Sequence, residues 1–215
     1  MKTDPTAPAD TRMMGIVHSA LRRDLTRCSD ALSGEPAPGD TQRVAIAQHV
    51  QAMMDFLHVH HSGEDAWLWP TTRRLNPSAA DLLDEMEDDH RAIVPHMEKV
   101  SSAAAEYERS ADGREALADA LRDLRGSLDP HLRREEDDMM PIVARTLTAR
   151  QWDDWEEQYY VKPKSTAELG MEGHWLIDGV DRSDYDHVIG TVNPVLRFVL
   201  LHFFGPRYRK ACAAR

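Results

Sequence analysis

His58-Val59-His60-His61-Ser62-Gly63-Glu64-Asp65-Ala66-Trp67-Leu68-Trp69-Pro70 is the stretch whose reading decides the fold. It has an echo at His131-Leu132-Arg133-Arg134-Glu135-Glu136-Asp137-Asp138-Met139-Met140-Pro141. Laid over each other, His60 meets His131, Glu64 meets Glu135, Asp65 meets Glu136 and Pro70 meets Pro141. Residues four apart on a helix lie one above the other on the same face. Each copy therefore aims an imidazole and a carboxylate at one point. Two copies facing each other make a cage of nitrogen and oxygen donors, a ligand type that suits iron.

The hydrophobic period tests independently whether those residues face inward. Alternating steps of four and three give Ile46, Val50, Met53, Leu57, His60, Glu64 and Trp67 on one helix. On another they give Leu117, Leu121, Leu124, Leu128, His131 and Glu135, then Asp138 and Ile142. Such steps trace the buried seam of a bundle helix. A carboxylate on a buried seam is expensive unless paired or metal-bound, so the polar seam residues read as a site. Two more seams, Met14-His18-Leu21-Leu25-Cys28-Leu32 and Leu83-Met86-His90-Ile93-Met97-Val100-Ala104, carry one histidine each. The order along the chain is H, H-x-x-x-E, H, H-x-x-x-E, which predicts two helix pairs related by a pseudo-twofold.

With these residues the sequence resembles the hemerythrin-like (HHE) family of non-haem diiron proteins, over roughly residues 12 to 147. The resemblance implies an all-α, up-down-up-down four-helix bundle. It also implies two non-haem irons with an oxo or hydroxo bridge. By motif, their ligands fall on His18, His60, Glu64, His90, His131 and Glu135, with the two glutamates bridging. Oxygen-carrying members have a further histidine four residues after the one on the third helix. Here Val94 stands there. The candidates to close that gap are Glu87, His61 or a tyrosine from the C-terminal part. His61, Asp65 and Glu136 lie one step off the seam and read as outer partners that orient ligand imidazoles. Glu87, in a Glu-x-x-His spacing with His90, is a candidate extra ligand.

The 215 residues carry a net charge of -11, which argues against nucleic acid as a general partner. Two cysteines, Cys28 and Cys212, give no disulfide framework. The polar, proline-bearing N-terminus has no apolar signal core, and no apolar run approaches the ~20 residues that span a bilayer. The chain reads as cytoplasmic, as a monomer or homodimer.

In chain order, residues 1–11 read as disordered, with Asp10 or Thr11 capping the first helix. The bundle takes 12–147, with a loop at 33–40 and Thr41 as the cap of the second helix, which reaches Pro70 or just past it. Pro95 should kink the third helix and Pro130 bend the fourth. Residues 148–215 form a C-terminal helical extension that packs on the bundle. Thr148 and Gln151 make a capping box, and Asn193-Pro194 opens a last apolar segment.

Implied by the resemblance is a centre that binds dioxygen, peroxide or nitric oxide. With Val94 leaving a position open, peroxide breakdown or an oxidase reaction is favoured over reversible oxygen carriage. One alternative is an oxygenase or oxidase acting on an organic substrate, with the extension as pocket wall. Another is a non-catalytic sensor or iron-storage module whose extension docks a partner. A deep apolar cavity reaching the metals goes with the first alternative, and a large exposed apolar patch on the extension with the second.

Overall fold

The structure is a computed structural model that describes residues 4–192 and 194–215, the side chains of 194–196 excepted. Four long helices form the bundle: α1 (Arg12–Ser33), α2 (Asp40–Gly63), α4 (Ala80–Arg109) and α5 (Arg114–Arg134). Short helices α3 (Trp69–Leu75) and α6 (Met140–Thr146) prolong α2 and α5. Packing runs α1 to α2, α2 to α4, α4 to α5 and α5 back to α1, which closes the square.

Every residue of the α1 and α4 seams is buried, as are the α2 and α5 seams as far as Glu64 and Glu135. The apolar seam residues fall into two clusters with the polar ones between them. Met14 and Met86 precede the histidines of α1 and α4 in one cluster, which Leu68 and Met139 join beyond Glu64 and Glu135. Leu21, Leu57, Ile93 and Leu128 belong to the other. That alternation of order is what an up-down-up-down bundle requires, and it fixes a polar layer between two apolar cores.

Beyond Glu64 and Glu135 the seams slip by one residue. Trp67 is only half-buried, and Leu68 and Trp69 are inside instead. Asp138 is exposed and Ile142 half-buried, with Met139 and Val143 in the core. The cause is a wide π-turn at Glu64–Leu68 and its counterpart at Glu135–Met139, each of which adds a residue to the turn. Prolines 70 and 141 follow closely. A proline has no N–H to give and its ring crowds the carbonyl four residues back, and the wider turn relieves both. The same pattern recurs at Glu157–Val161 before Pro163 and at Leu200–Phe204 before Pro206. By contrast α4 runs through Pro95 and α5 through Pro130 as unbroken α-helix.

Several expected ends differ. The second helix starts at Asp40 after Gly39 with no side-chain cap, so Thr41 is not the cap. Residues 4–11 are tied down rather than disordered: the Ala9 N–H donates to the Leu147 carbonyl at 3.1 Å and the Ala149 N–H to Ala7 at 2.8 Å. These bonds form because burial of Ala9 in the apolar cluster draws the strand-like segment onto the Thr148 turn. Residues 1–3 lie outside the described residues, as does Asn193.

The extension comprises α7 (Ala149–Glu156), α8 (Thr166–Leu176), α9 (Arg182–Thr191), α10 (Pro194–Val199) and α11 (Gly205–Ala213). Thr148 and Gln151 form the expected capping box at α7, and Ser165 and Glu168 form another at α8. Trp175, Leu176, Val188 and Tyr208 join the bundle core. Buried Asp24 clamps them there, accepting from His49 at 2.7 Å, Arg23 at 2.9 Å and Trp175 Nε1 at 3.1 Å. Burial alone would raise its carboxyl, but these donors win and hold it well below the usual carboxylate range. Phe204 is buried against Gly170, whereas Phe198 and Phe203 face outward.

Candidate metal centre

The polar layer gathers two groups of side chains whose donor atoms lie within 4.8 Å of one another: His18, His60 and Glu135, and His61, His90 and His131. In the first, Nε2 of His18 and Nε2 of His60 are 3.2 Å apart. Ligands at right angles about 2.1 Å from one ion stand about that far from each other. Glu64 spans the two groups, with Oε1 3.1 Å from His60 and Oε2 3.5 Å from His90. Glu135 does so from the other side, with Oε2 3.4 Å from His18 and 3.7 Å from His131. Each carboxylate thus lies beside one histidine of each group. The six seam residues come together as the sequence predicts.

Of the two places the sequence left open for His61, outer partner or closer of the gap at Val94, its position goes with the second: its ring stacks on His90 at 4.0 Å and meets His131 edge-on at 5.3 Å. Adjacent residues on a helix point about 100° apart, and the layer is wide enough to take both His60 and His61. Glu87 is not in the layer. It bonds Arg73 at 3.1 Å and is turned to the surface. Val94 is 43% exposed, because α4 presents Ile93 to the core in its place. The second histidine of the oxygen carriers has no inward place on this helix.

Carboxylates outside the layer orient the rings. Asp65 pairs with Nδ1 of His90 at 2.7 Å, and Glu136 with Nδ1 of His18 at 2.8 Å while it also accepts from Arg22. Asp89, which the sequence reading passed over, stands near Nδ1 of His131 at 3.5 Å without a hydrogen bond to it, and accepts from Arg134 instead. A carboxylate on Nδ1–H leaves Nε2 free for a metal. The signal for Asp89 was its place directly before His90.

Inside the layer the polar atoms go unanswered. Both nitrogens of His61 and of His131, both carboxylate oxygens of Glu64 and of Glu135, and Nε2 of His90 are buried without a hydrogen-bond partner. An orphaned buried polar atom costs about 1–3 kcal/mol, so such a concentration calls for a ligand that satisfies all of them. Burial, then Glu135 and Asp65, raises the Glu64 carboxyl well above its ordinary value, and burial raises Glu135. Burial, reinforced by neighbouring imidazoles, lowers His60 and His61 well below theirs and brings His131 to about 2. A bound cation takes neutral imidazoles as they stand and stabilises the carboxylates in their charged form. The residues fit a metal.

The extension walls the layer. The Tyr160 hydroxyl donates to the His60 carbonyl at 3.1 Å and Trp155 Nε1 to the Gly63 carbonyl at 3.0 Å. Gly63 makes this possible, since a Cβ there would stand 2.7 Å from the Tyr160 hydroxyl. Between α2 and the extension lies a cleft of about 690 Å³ that includes Met53, Phe56, Lys164, Met171 and Trp175 in its lining. No residue of the metal layer lines it, and Phe56, stacked on His60 at 6.1 Å, stands between.

A four-helix bundle with a histidine- and glutamate-lined layer that could hold metal defines the class. The chain belongs to the hemerythrin family: the model of the hemerythrin HHE cation-binding domain matches residues 11–143. No curated protein and no solved structure matches it. Among the described residues no helix is long and apolar enough to cross a membrane.

Proposed function

We propose that the layer holds two non-haem irons bridged by Glu64 and Glu135 and that the centre binds dioxygen, peroxide or nitric oxide. The observation that carries this is the pair of donor groups sharing two buried glutamates whose four oxygens have no other partner. His61, His90 and His131 would hold one iron, and His18 and His60 the other. When bound, the irons supply oxidant binding and electron exchange. The chain sets their ligands, orients two of the rings through Asp65 and Glu136, and keeps bulk water out with Leu68, Trp69 and the Tyr160 wall.

With His61 beside His90 and His131 as a third histidine, the gap expected from Val94 would close. Reduction of the oxidant remains favoured over carriage for a different reason, the oxidisable phenol of Tyr160 held against the His60 turn. The reduced protein is to be exposed to dioxygen and then purged with inert gas. Reduction predicts an irreversible change of spectrum, whereas full return of the starting spectrum over repeated cycles would identify a carrier. The cleft beside Phe56 does not reach the layer, which disfavours an organic substrate oxidised at the metals.

A further inference from the structure

The wall raised by the extension is a continuous series of oxidisable rings. Tyr160 lies 6.2 Å from His60, centroid to centroid, and Trp155 meets Tyr160 edge-on at 5.2 Å. Trp152 packs on Trp155 at 4.9 Å. At the far end stands Glu156, a half-buried carboxyl beside the Trp152 side chain. Burial raises it to about 7 against the pull of that indole, and Asp153 and Asp10 add to the rise. Covering the metal layer needs only apolar bulk. Phe56, also packed on His60, plays that role with a ring far harder to oxidise. A chain of tyrosine and two tryptophans ending on a proton acceptor is more than a cover.

We propose that Trp152, Trp155 and Tyr160 relay single electrons from an outside donor to the metal centre, which gives the protein a peroxidase activity; this rests on the diiron reading above. Hydrogen peroxide takes two electrons and two protons to become two waters. An enediol or phenolic donor such as ascorbate supplies both pairs and leaves as dehydroascorbate, so the sum is peroxide plus ascorbate to two waters plus dehydroascorbate. In each single transfer Trp152 loses one electron toward Trp155, and its Nε1 proton passes to the Glu156 carboxylate. The donor then returns the electron, Glu156 returns the proton, and the donor's own proton replaces the one consumed at peroxide.

The test uses the iron-loaded full chain, mixed with hydrogen peroxide and frozen for electron paramagnetic resonance. Peptides are mapped for oxidised tryptophan after exposure without donor, and ascorbate oxidation is followed separately. The native protein is expected to give a tryptophan or tyrosine radical and to accumulate oxidation at Trp152. In Tyr160→Phe and Trp152→Phe the radical should be lost or changed and ascorbate oxidation should fall about tenfold or more, with iron content and melting temperature retained. Trp152→Tyr, still oxidisable, should recover part of the rate. Peroxide consumption with no organic radical and with donor oxidation unaltered in all three variants overturns the relay and leaves the diiron reading standing. A loaded protein inert to peroxide overturns both.

Discussion

The imidazoles of His61 and His90, carried by different helices, stack face to face with centroids 4.0 Å apart and 14° between their planes. Burial, reinforced by the neighbouring histidines, lowers His61 well below its ordinary value. Both rings aim at the space that His131 closes from the side.

His61→Ala is therefore expected to leave about one iron per chain in place of two, read by metal analysis after loading under nitrogen. Adding Val94→His should not restore the second, since residue 94 faces solvent. Full recovery in the double variant would show that α4 can offer a ligand there after all.

The bridging glutamates and their neighbour should behave differently. Glu64→Ala and Glu135→Ala each remove a carboxylate shared by both groups and should lose most of the iron. Glu136→Ala leaves the layer intact and frees the outer nitrogen of His18 and the Arg22 guanidinium, so iron should bind with affinity lowered about 10–100-fold. Equal iron retention by all three would contradict the assignment of roles.

Much of this was legible in the sequence, because a polar residue on an apolar period stands out whatever the helix does next. His18, His60, Glu64, His90, His131 and Glu135 were readable for that reason. What was lost lay beyond the π-turns, where a straight-helix count put Trp67, Asp138 and Ile142 inside and the extra residue put Leu68, Met139 and Val143 there. Pro70 and Pro141 carried that signal, repeated at Pro163 and Pro206. His61 was one of three candidates for the gap at Val94, and a count that allows one inward face could not rank them. The Tyr160 contact depends on how the extension folds back, and no local pattern encodes it.

Gly63→Ala pits propensity against packing. Alanine is favoured in a helix by about 1 kcal/mol, but the added Cβ would stand 2.7 Å from the Tyr160 hydroxyl and 3.4 Å from Tyr159. Overpacking of this kind costs about 1–3 kcal/mol, so a lower melting temperature is expected, together with a loosened Tyr160–His60 contact. A more stable variant would mean that the wall is not held against α2.

Glu156 sets a pH dependence. Its carboxyl is raised to about 7 by burial, so the folded state favours the neutral form. It takes nothing from stability below the ordinary glutamate value, and stability falls as pH rises through 7, by at most about 3 kcal/mol. Glu156→Gln, which still offers the Trp152 indole an acceptor, should abolish that fall and melt higher than the native protein at pH 8 but not at pH 4.5. Parallel melting profiles of the two proteins from pH 4.5 to pH 8 would show that Glu156 is solvated rather than buried.

The central claim is that one buried layer holds two metals with unequal histidine sets. Anomalous diffraction at the iron absorption edge, from crystals of the iron-loaded protein, tests it most directly. The account predicts two peaks between Glu64 and Glu135, one flanked by His61, His90 and His131 and the other by His18 and His60. A single peak, or two peaks with His61 turned away from both, would contradict it.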